Sequence, residues 1–376
     1  MGEEQSELAA AVAAVEDPLL RRSVGELGML REVAEGRRRT RVVLAVPADP
    51  YPAQEELESR VRGAVAARKP GVRLDLEVET MDAVAVAALG AQLHGPGDPG
   101  GDEAKRNPFA DRATKTRVLG IASGKGGVGK SSVTVNLAVA LARDGFDVGL
   151  LDADVYGFSV PRMLGVDREP VMIGDLLVPP VTHGVRCMSM GFLVNDDQPI
   201  VWRGPMLHKA LEQFLVDVYW GEPDFLVVDM PPGTGDVALS LAQYMPRTEL
   251  YVVTTPQPAA QRVAQRSAYM ARQVKLPVRG VIENMSWFTG DDGVRYEIFG
   301  AGGGAELAET LGVPLLAQVP LVSEVRVGGD EGVPVALADP RSGTGTGEGL
   351  AAFAALAERI VALGPTRVYR SELAVR

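Results

Sequence analysis

The sequence predicts an α/β protein: a mostly parallel β-sheet covered by helices on both faces, preceded by a smaller α/β domain. Three observations carry this. From residue 117 onward, short apolar runs alternate with longer helical patterns, as stacked βαβ units do. Several of those runs are apolar throughout, the pattern of strands buried on both faces. The first run, V-L-G-I-A-S at 118–123, passes directly into a glycine-rich loop and then into a helix.

In chain order, Leu8, Val12 and Val15 mark a helix face that stops near Asp17-Pro18. Arg41–Val46 is a β-branched strand, and Glu55–Ala67 is helical, with Leu57, Val61 and Val65 recurring every fourth residue. Val72–Val78 alternates apolar and polar, as a half-buried strand does. These elements make residues 1–90 the small α/β domain. Residues 91–113 include G-P-G-D-P-G-G-D-E-A-K-R-N-P and read as a linker. The larger domain spans 114–364, and 365–376 is a C-terminal tail. Its strands are expected at Val118–Ser123, Val148–Asp154, Phe225–Met230, Leu250–Thr255, Val278–Asn284 and Leu315–Pro320. Helices fall between them, among them Leu207–Tyr219 and Gln257–Val274. Residues 170–190 break the alternation and read as a short β insertion. Gly300–Gly304 opens a further helix, Ala305–Leu311.

The loop reads G-K-G-G-V-G-K-S, so Gly124, Gly129, Lys130 and Ser131 satisfy G-x-x-x-x-G-K-[ST]. Gly124, Gly126, Gly127 and Gly129 permit backbone conformations that a Cβ would block, letting successive N–H groups of the loop, Val128 included, converge on phosphate oxygens. Lys130 supplies a point charge for the β/γ-phosphates, and the Ser131 hydroxyl can ligate Mg²⁺. The following helix, carrying Ser131 and Ser132 in its first turn, aims its N-terminal dipole at the same anion. Val133, Leu137, Ala140 and Leu141 give it one apolar face. The larger domain is therefore expected to be a P-loop NTPase binding ATP and Mg²⁺. Lys125 is a second lysine in a loop with room for one on the phosphates. It is most useful in trans, neutralising transition-state charge as an arginine finger does.

A P-loop also needs acidic groups at the ends of neighbouring strands. L-L-D-A-D-V-Y-G places Asp152 and Asp154 at one strand end, and F-L-V-V-D-M-P-P-G-T-G-D places Asp229 at another. Asp229 has the Walker-B arrangement for Mg²⁺. Gly233 and Gly235 bring backbone N–H groups near a γ-phosphate, and Asp236 stands where a helix N-cap would.

Composition sets limits. The chain has 376 residues and a net charge of −11, with no basic run beyond Arg37–Arg39, which argues against a nucleic-acid partner. No stretch approaches the ~20 apolar residues of a membrane span, and M-G-E-E-Q-S lacks a signal-peptide core. It matches the loose myristoylation pattern, but no basic patch follows as a second anchor. No membrane partner is expected, and the cytoplasm is the expected compartment. Cys187 is the single cysteine, in an apolar stretch that suggests a buried thiol, and the three histidines, His94, His183 and His208, show no ligand spacing.

The loop K-G-G-V-G-K-S resembles the deviant Walker A of the MinD/ParA class of dimerising ATPases. Within that class, D-A-D-V-Y-G, W-R-G-P-M-L-H-K-A-L-E-Q-F-L, D-M-P-P-G-T-G-D and E-N-M-S resemble the Mrp/ApbC family over residues ~117–363. D-P-L-L-R-R-S-V-G-E-L-G-M at 17–29 resembles the SufT/PaaD-related domain that precedes the ATPase in many Mrp proteins. The resemblance implies an iron–sulfur cluster carrier that hydrolyses ATP slowly, as a homodimer with ATP sandwiched between subunits. Apoprotein clients or iron–sulfur assembly proteins are the implied partners. It assigns Lys125 to the partner subunit's nucleotide, Lys130 and Ser131 to phosphate and Mg²⁺, Asp154 to the attacking water, Asp229 to Walker B and Asn284 to adenine. The catalytic set is thus Lys125, Lys130 and Asp154.

One family feature is missing. Mrp/ApbC proteins carry C-x-x-C shortly after N-M-S, whereas this chain reads M-S-W-F-T-G-D-D-G-V-R-Y at 285–296. Thr289, Gly290, Asp291 and Asp292 occupy that loop, and Tyr51-Pro52 stands where relatives of the small domain often show Cys-Pro. Carboxylates are hard ligands and poor substitutes for thiolate, so Asp291 and Asp292 read as a D-D-G turn. A bound iron–sulfur cluster is implied by resemblance, but the cysteine content does not support it and no cluster ligands are identified. Two other readings stay open: a MinD/ParA-like regulatory ATPase switch, and an ATP-dependent scaffold without iron–sulfur chemistry.

Overall fold

A computed structural model describes residues 7–94, 107–111, 113–155, 157–193, 204–233, 236–338 and 347–366. The elements in chain order are α1 (Glu7–Ala13), β1 (Leu30–Glu35), β2 (Arg39–Val46), α2 (Gln54–Arg68), β3 (Arg73–Thr80) and α3 (Ala83–Leu93). Then come β4 (Arg117–Ser123), α4 (Lys130–Arg143), β5 (Val148–Asp152), α5 (Val160–Leu164), β6 (Val171–Ile173), β7 (Leu176–Val178), β8 (Val181–Thr182) and β9 (Val185–Ser189). They are followed by α6 (Gly204–Val216), β10 (Phe225–Asp229), α7 (Asp236–Tyr244), β11 (Glu249–Thr254), α8 (Pro258–Gln273) and β12 (Val278–Asn284). The last are β13 (Phe288–Thr289), β14 (Arg295–Tyr296), α9 (Gly303–Leu311), β15 (Leu315–Val319), α10 (Ser323–Glu331) and α11 (Gly347–Leu363).

Two compact units emerge. The first takes the chain up to Arg106 together with Arg168–Val181 and Val216–Gly221. Its sheet has the order β1-β2-β3, antiparallel between β1 and β2 and parallel between β2 and β3. The β2–α2–β3 crossover buries Leu57, Val61 and Val65 from α2 on Val42 and Leu44. The β6–β7 hairpin joins this core through Ile173, Leu176 and Val178, and Tyr219 donates from its hydroxyl to the Leu20 carbonyl at 3.2 Å.

The second unit holds the large sheet, in the order β15-β12-β11-β4-β10-β5-β9-β8. Every pair from β15 to β9 is parallel. Strands β5, β10 and β11 are buried at every position, which is why they read as unbroken apolar runs. Helix α4 packs Val133, Leu137 and Leu141 into the core with Phe353 and Leu356 of α11. Because the sheet is parallel, β4, β5, β10, β11 and β12 all end on one edge, where ligands of open α/β sheets bind.

Three features depart from the sequence reading. Strand β1 was not expected; it is an edge strand with four of six residues exposed, so it carries no clean alternation. Helix α3, capped by Asp82 accepting from Ala85 N–H at 2.8 Å, runs through residue 90 into the expected linker. The 170–190 segment is not one insertion: β6 and β7 pack with the first unit, while β9 pairs with β5. Most of the linker and residues 367–376 lie outside the described residues. Within 107–111, Phe109 is buried and Asn107 donates to the Tyr244 carbonyl at 2.8 Å.

Candidate nucleotide-binding site

The loop after β4 is shaped by close backbone approach. A Cβ on Gly124 would lie 2.3 Å from the Ala264 nitrogen, so only glycine lets α8 pack there. Gly127 and Gly129 hold φ of +79° and +78°, and Gly129 is the N-cap of α4. Around Gly126 and Gly127 nothing lies within 4 Å of where a Cβ would be, which leaves an open cradle. Val128 is buried, and its carbonyl accepts from Asn284 Nδ2 at 2.9 Å. Asn284 is thereby placed as a brace under the loop at the end of β12; a Cβ on Gly129 would sit 2.2 Å from that same nitrogen. Ser132 is half-buried, and its carbonyl accepts from Asn136.

The charged groups converge at the head of α4. Lys130 Nζ lies 2.6 Å from Asp229 Oδ2 and 3.9 Å from Asp154 Oδ2. The Ser131 hydroxyl donates to Asp229 Oδ2 at 2.6 Å, and the Thr134 hydroxyl lies 2.7 Å from Asp229 Oδ1 and 2.9 Å from the Lys130 carbonyl. Asp229 is fully buried and Lys130 is 6% exposed. The ammonium and two hydroxyls thus supply the polar partners that a carboxylate cut off from water needs. Thr134 escaped the sequence reading; its signal is its place one turn after Lys130, facing the same strand ends.

Asp152 and Asp154 separate into different roles. Asp152 is fully buried and accepts from Asp154 N–H at 3.1 Å, Val160 N–H at 3.3 Å and the Ser189 hydroxyl at 3.1 Å. It organises the turn that carries Asp154. Burial, with Asp229 beside it in register, raises its carboxyl to about 7 against the pull of those donors and of Lys130. Asp154 faces Lys130, with Oδ1 accepting from Gly157 N–H at 3.2 Å. Lys125 is half-buried, and its Nζ reaches Gln257 Oε1 at 3.5 Å. The Gly233 N–H donates to the Ser123 carbonyl at 2.8 Å, tying the turn after β10 to the loop. Gly235 and the Asp236 side chain lie outside what is described.

Cys187 is completely buried in β9, where burial and, secondarily, Asp152 push its thiol well up. Asp291 and Asp292 sit in the β13–β14 hairpin turn, where Asp292 accepts from Val294 N–H and the Tyr296 hydroxyl; those bonds hold its carboxyl below the usual range. Among the described residues, no group of three or more His, Cys, Asp or Glu side chains is placed to hold a metal ion. Nor, among them, is any helix long and apolar enough to cross a membrane.

Comparison with known proteins fits this geometry. Residues 114–360 match the ParA family model described as NUBPL iron-transfer P-loop NTPase. The chain belongs to this family. It is 44% identical over 356 residues to a Mycobacterium tuberculosis protein named "Iron-sulfur cluster carrier protein", covering 92% of this chain and 91% of the relative. A Deinococcus radiodurans protein of the same name is 46% identical, with 88% and 89% covered. Among solved structures, a nucleotide-binding protein from Archaeoglobus fulgidus in complex with ADP aligns with a TM-score of 0.52 and 35% identity, over 58% of this chain and 86% of that one. As a ParA-type P-loop NTPase, the chain has the fold that its glycine loop and apolar strands predict.

Proposed function

We propose that the chain is an ATP-hydrolysing iron–sulfur cluster carrier or assembly factor that works in the cytoplasm as a nucleotide-sandwich homodimer. The observation that carries the ATPase reading is the convergence of the Lys130 ammonium, the Ser131 hydroxyl and the buried Asp229 carboxylate beside an open glycine cradle. The names of the relatives, aligned over about nine-tenths of the chain, carry the iron–sulfur part and favour it over a regulatory switch.

The reaction is attack of water on the γ-phosphorus of ATP. A new P–O bond forms as the β,γ-bridging P–O bond breaks, giving ADP, phosphate and a proton. Asp154 orients the water, and Lys130 leaves Asp229 to meet the β/γ oxygens. Ser131 and Asp229 would hold Mg²⁺, since hard oxygen donors suit it. Mg²⁺, when bound, neutralises charge on the β/γ oxygens. Lys125, held near the loop by Gln257, crosses to the partner subunit's nucleotide. Asn284 braces the loop through the Val128 carbonyl, and the family resemblance gives it the adenine as well.

The cluster is cargo, and this chain's residues do not fit it as a resident group. A [4Fe–4S] centre usually needs four thiolates, and two copies supply two, both buried in β9. The thiolates therefore come from a partner. The test is phosphate release from Mg–ATP by the full chain, with its mass in solution measured in ADP and in a non-hydrolysable ATP analogue. Turnover with an ATP-dependent dimer is expected. A chain that binds ATP but never releases phosphate would leave only the scaffold reading.

A further inference from the structure

The geometry points to Glu283 as a positioning residue of the nucleotide site: its buried carboxylate clamps the left-handed turn that aims Asn284 and Met285 at the glycine loop. This rests on the nucleotide-binding reading and extends it to a residue outside the loop motif. Glu283 is the penultimate residue of β12 and is 1% exposed. Its Oε1 accepts from Nε2 of the exposed Gln318 in β15 at 2.8 Å and lies 2.9 Å from the Ser286 hydroxyl. Its Oε2 accepts from the Gly304 N–H at the head of α9 at 2.6 Å. Both oxygens thus meet donors, at the positive end of a helix, which suits a carboxylate. The glycine run at 300–304 admits it, since a Cβ on Gly304 would lie 2.6 Å from the Glu283 Cβ.

The turn that the clamp holds is a strained one. Met285 has a φ of +57°, a conformation that long side chains rarely adopt. Such strain persists only where the surroundings over-determine it, and it gathers at ligand sites. Here Ser286 pins the turn: its N–H donates to the Val319 carbonyl at 3.0 Å, and its hydroxyl lies between Glu283 Oε1 and, at 3.1 Å, the Glu283 carbonyl. The consequence is that two successive side chains reach one residue, Gly129, the N-cap of α4. A Cβ there would lie 2.2 Å from Asn284 Nδ2 and 3.5 Å from Met285 Cε. An extended chain sends successive side chains to opposite faces, so releasing the turn withdraws one of them from the loop. The clamp's partners lie on β15, on α9 and in the turn itself, none of which carries Lys130, Asp154 or Asp229. Glu283 therefore acts on how tightly nucleotide is held and not on the chemical step.

The test is calorimetric titration of the full chain with ADP, alongside Mg–ATP turnover. Glu283→Gln turns one acceptor into a donor that faces either the Gly304 N–H or the Gln318 amide. It should raise the ADP Kd and the KM for Mg–ATP about tenfold while kcat at saturation changes by less than about twofold. Adding Gln318→Glu gives the introduced amide an acceptor, leaves its oxygen to Gly304 and lets the Ser286 hydroxyl turn to the backbone carbonyl of residue 283. The double variant should return to within about threefold of wild type in Kd and KM. Ser286→Ala spares the bond to α9 and should raise the ADP Kd about threefold. Wild-type ADP affinity in Glu283→Gln, a loss confined to kcat, or a double variant no better than the single one overturns the positioning role. Should Glu283→Gln fail to fold, Ser286→Ala decides alone, and wild-type affinity there overturns the clamp. A wild-type chain that binds ADP but never turns over ATP overturns the ATPase reading and leaves the ADP titrations to judge Glu283. One that binds no ADP overturns both.

Discussion

Replacing Lys130 by methionine separates the electrostatics of the ligand-free site from its catalytic role. Lys130 is 6% exposed and Asp229 is fully buried, with 2.6 Å between Nζ and Oδ2. Methionine keeps most of the side-chain volume, so the change is chiefly one of charge. It leaves Asp229 facing Asp152, its partner in the β10–β5 register, with no cation between two buried carboxylates. Breaking a buried pair by removing one partner costs about 3–5 kcal/mol. Ser131 and Thr134 still serve Asp229 with hydroxyls, which puts the expected cost at the lower end, about 3 kcal/mol. For a domain of this size each kcal/mol moves the midpoint by about 2–4 °C, so ligand-free Lys130→Met should unfold about 6–12 °C below wild type. Circular dichroism melts without nucleotide measure this directly. Repeating them with Mg–ATP should raise the wild-type midpoint and leave the variant's unchanged. An unaltered ligand-free midpoint would show that Lys130 does not rest on Asp229, and the convergence argument would fall with it.

Asp154→Asn should bind a fluorescent ATP analogue with wild-type affinity yet release no phosphate; normal turnover would remove Asp154 from the reaction. Gly129→Ala places a Cβ 2.2 Å from Asn284 Nδ2 at a φ of +78°, a strain of about 1–3 kcal/mol, and should weaken ATP binding by about 5- to 150-fold by calorimetry. Anaerobic reconstitution of the purified chain with iron and sulfide should give no thiolate-type visible absorbance; a stable chromophore would mean that ligands were overlooked. Asp17 in the first unit has a raised carboxyl pKa because burial outweighs the Leu20, Tyr51 and Leu19 donors to its Oδ1, while its Oδ2 has no partner. Its contribution is therefore full below the unfolded pKa and lost as pH rises through the folded one. Hydrogen exchange of the β2 amides should show falling stability over that range in wild type and a flatter profile in Asp17→Asn.

What could be read from the chain in advance follows from how locally each feature is encoded. The fully buried strands announce themselves as apolar runs, and Lys130, Ser131 and Asp229 occupy places that a glycine loop and a strand end dictate. The bracing bond of Asn284 was not legible, because 156 residues separate it from Val128; Thr134 carried a signal, its place one turn after Lys130, that the motif alone does not include. The two neighbouring aspartates looked alike as D-A-D. The resemblance singled out Asp154, and the fold adds what Asp152 does: it is locked by Ser189 from β9, while Asp154 is turned toward Lys130. The edge strand β1 was not read at all, and 170–190 was read as β without its division between two sheets, since the pairing of such strands is decided by neighbours.

The thiol chemistry points the same way. Cys187 lies in β9 directly beside Leu150 of β5, two positions from the strand end where Asp152 sits. Burial and the nearby carboxylate both oppose its thiolate, the only form that binds iron. A ligand that must ionise to work has thus been placed where ionisation is costliest, whereas Ser131 and Asp229, the proposed Mg²⁺ donors, meet beside the glycine loop. On this reading the nucleotide chemistry belongs to this chain and the cluster chemistry to a partner.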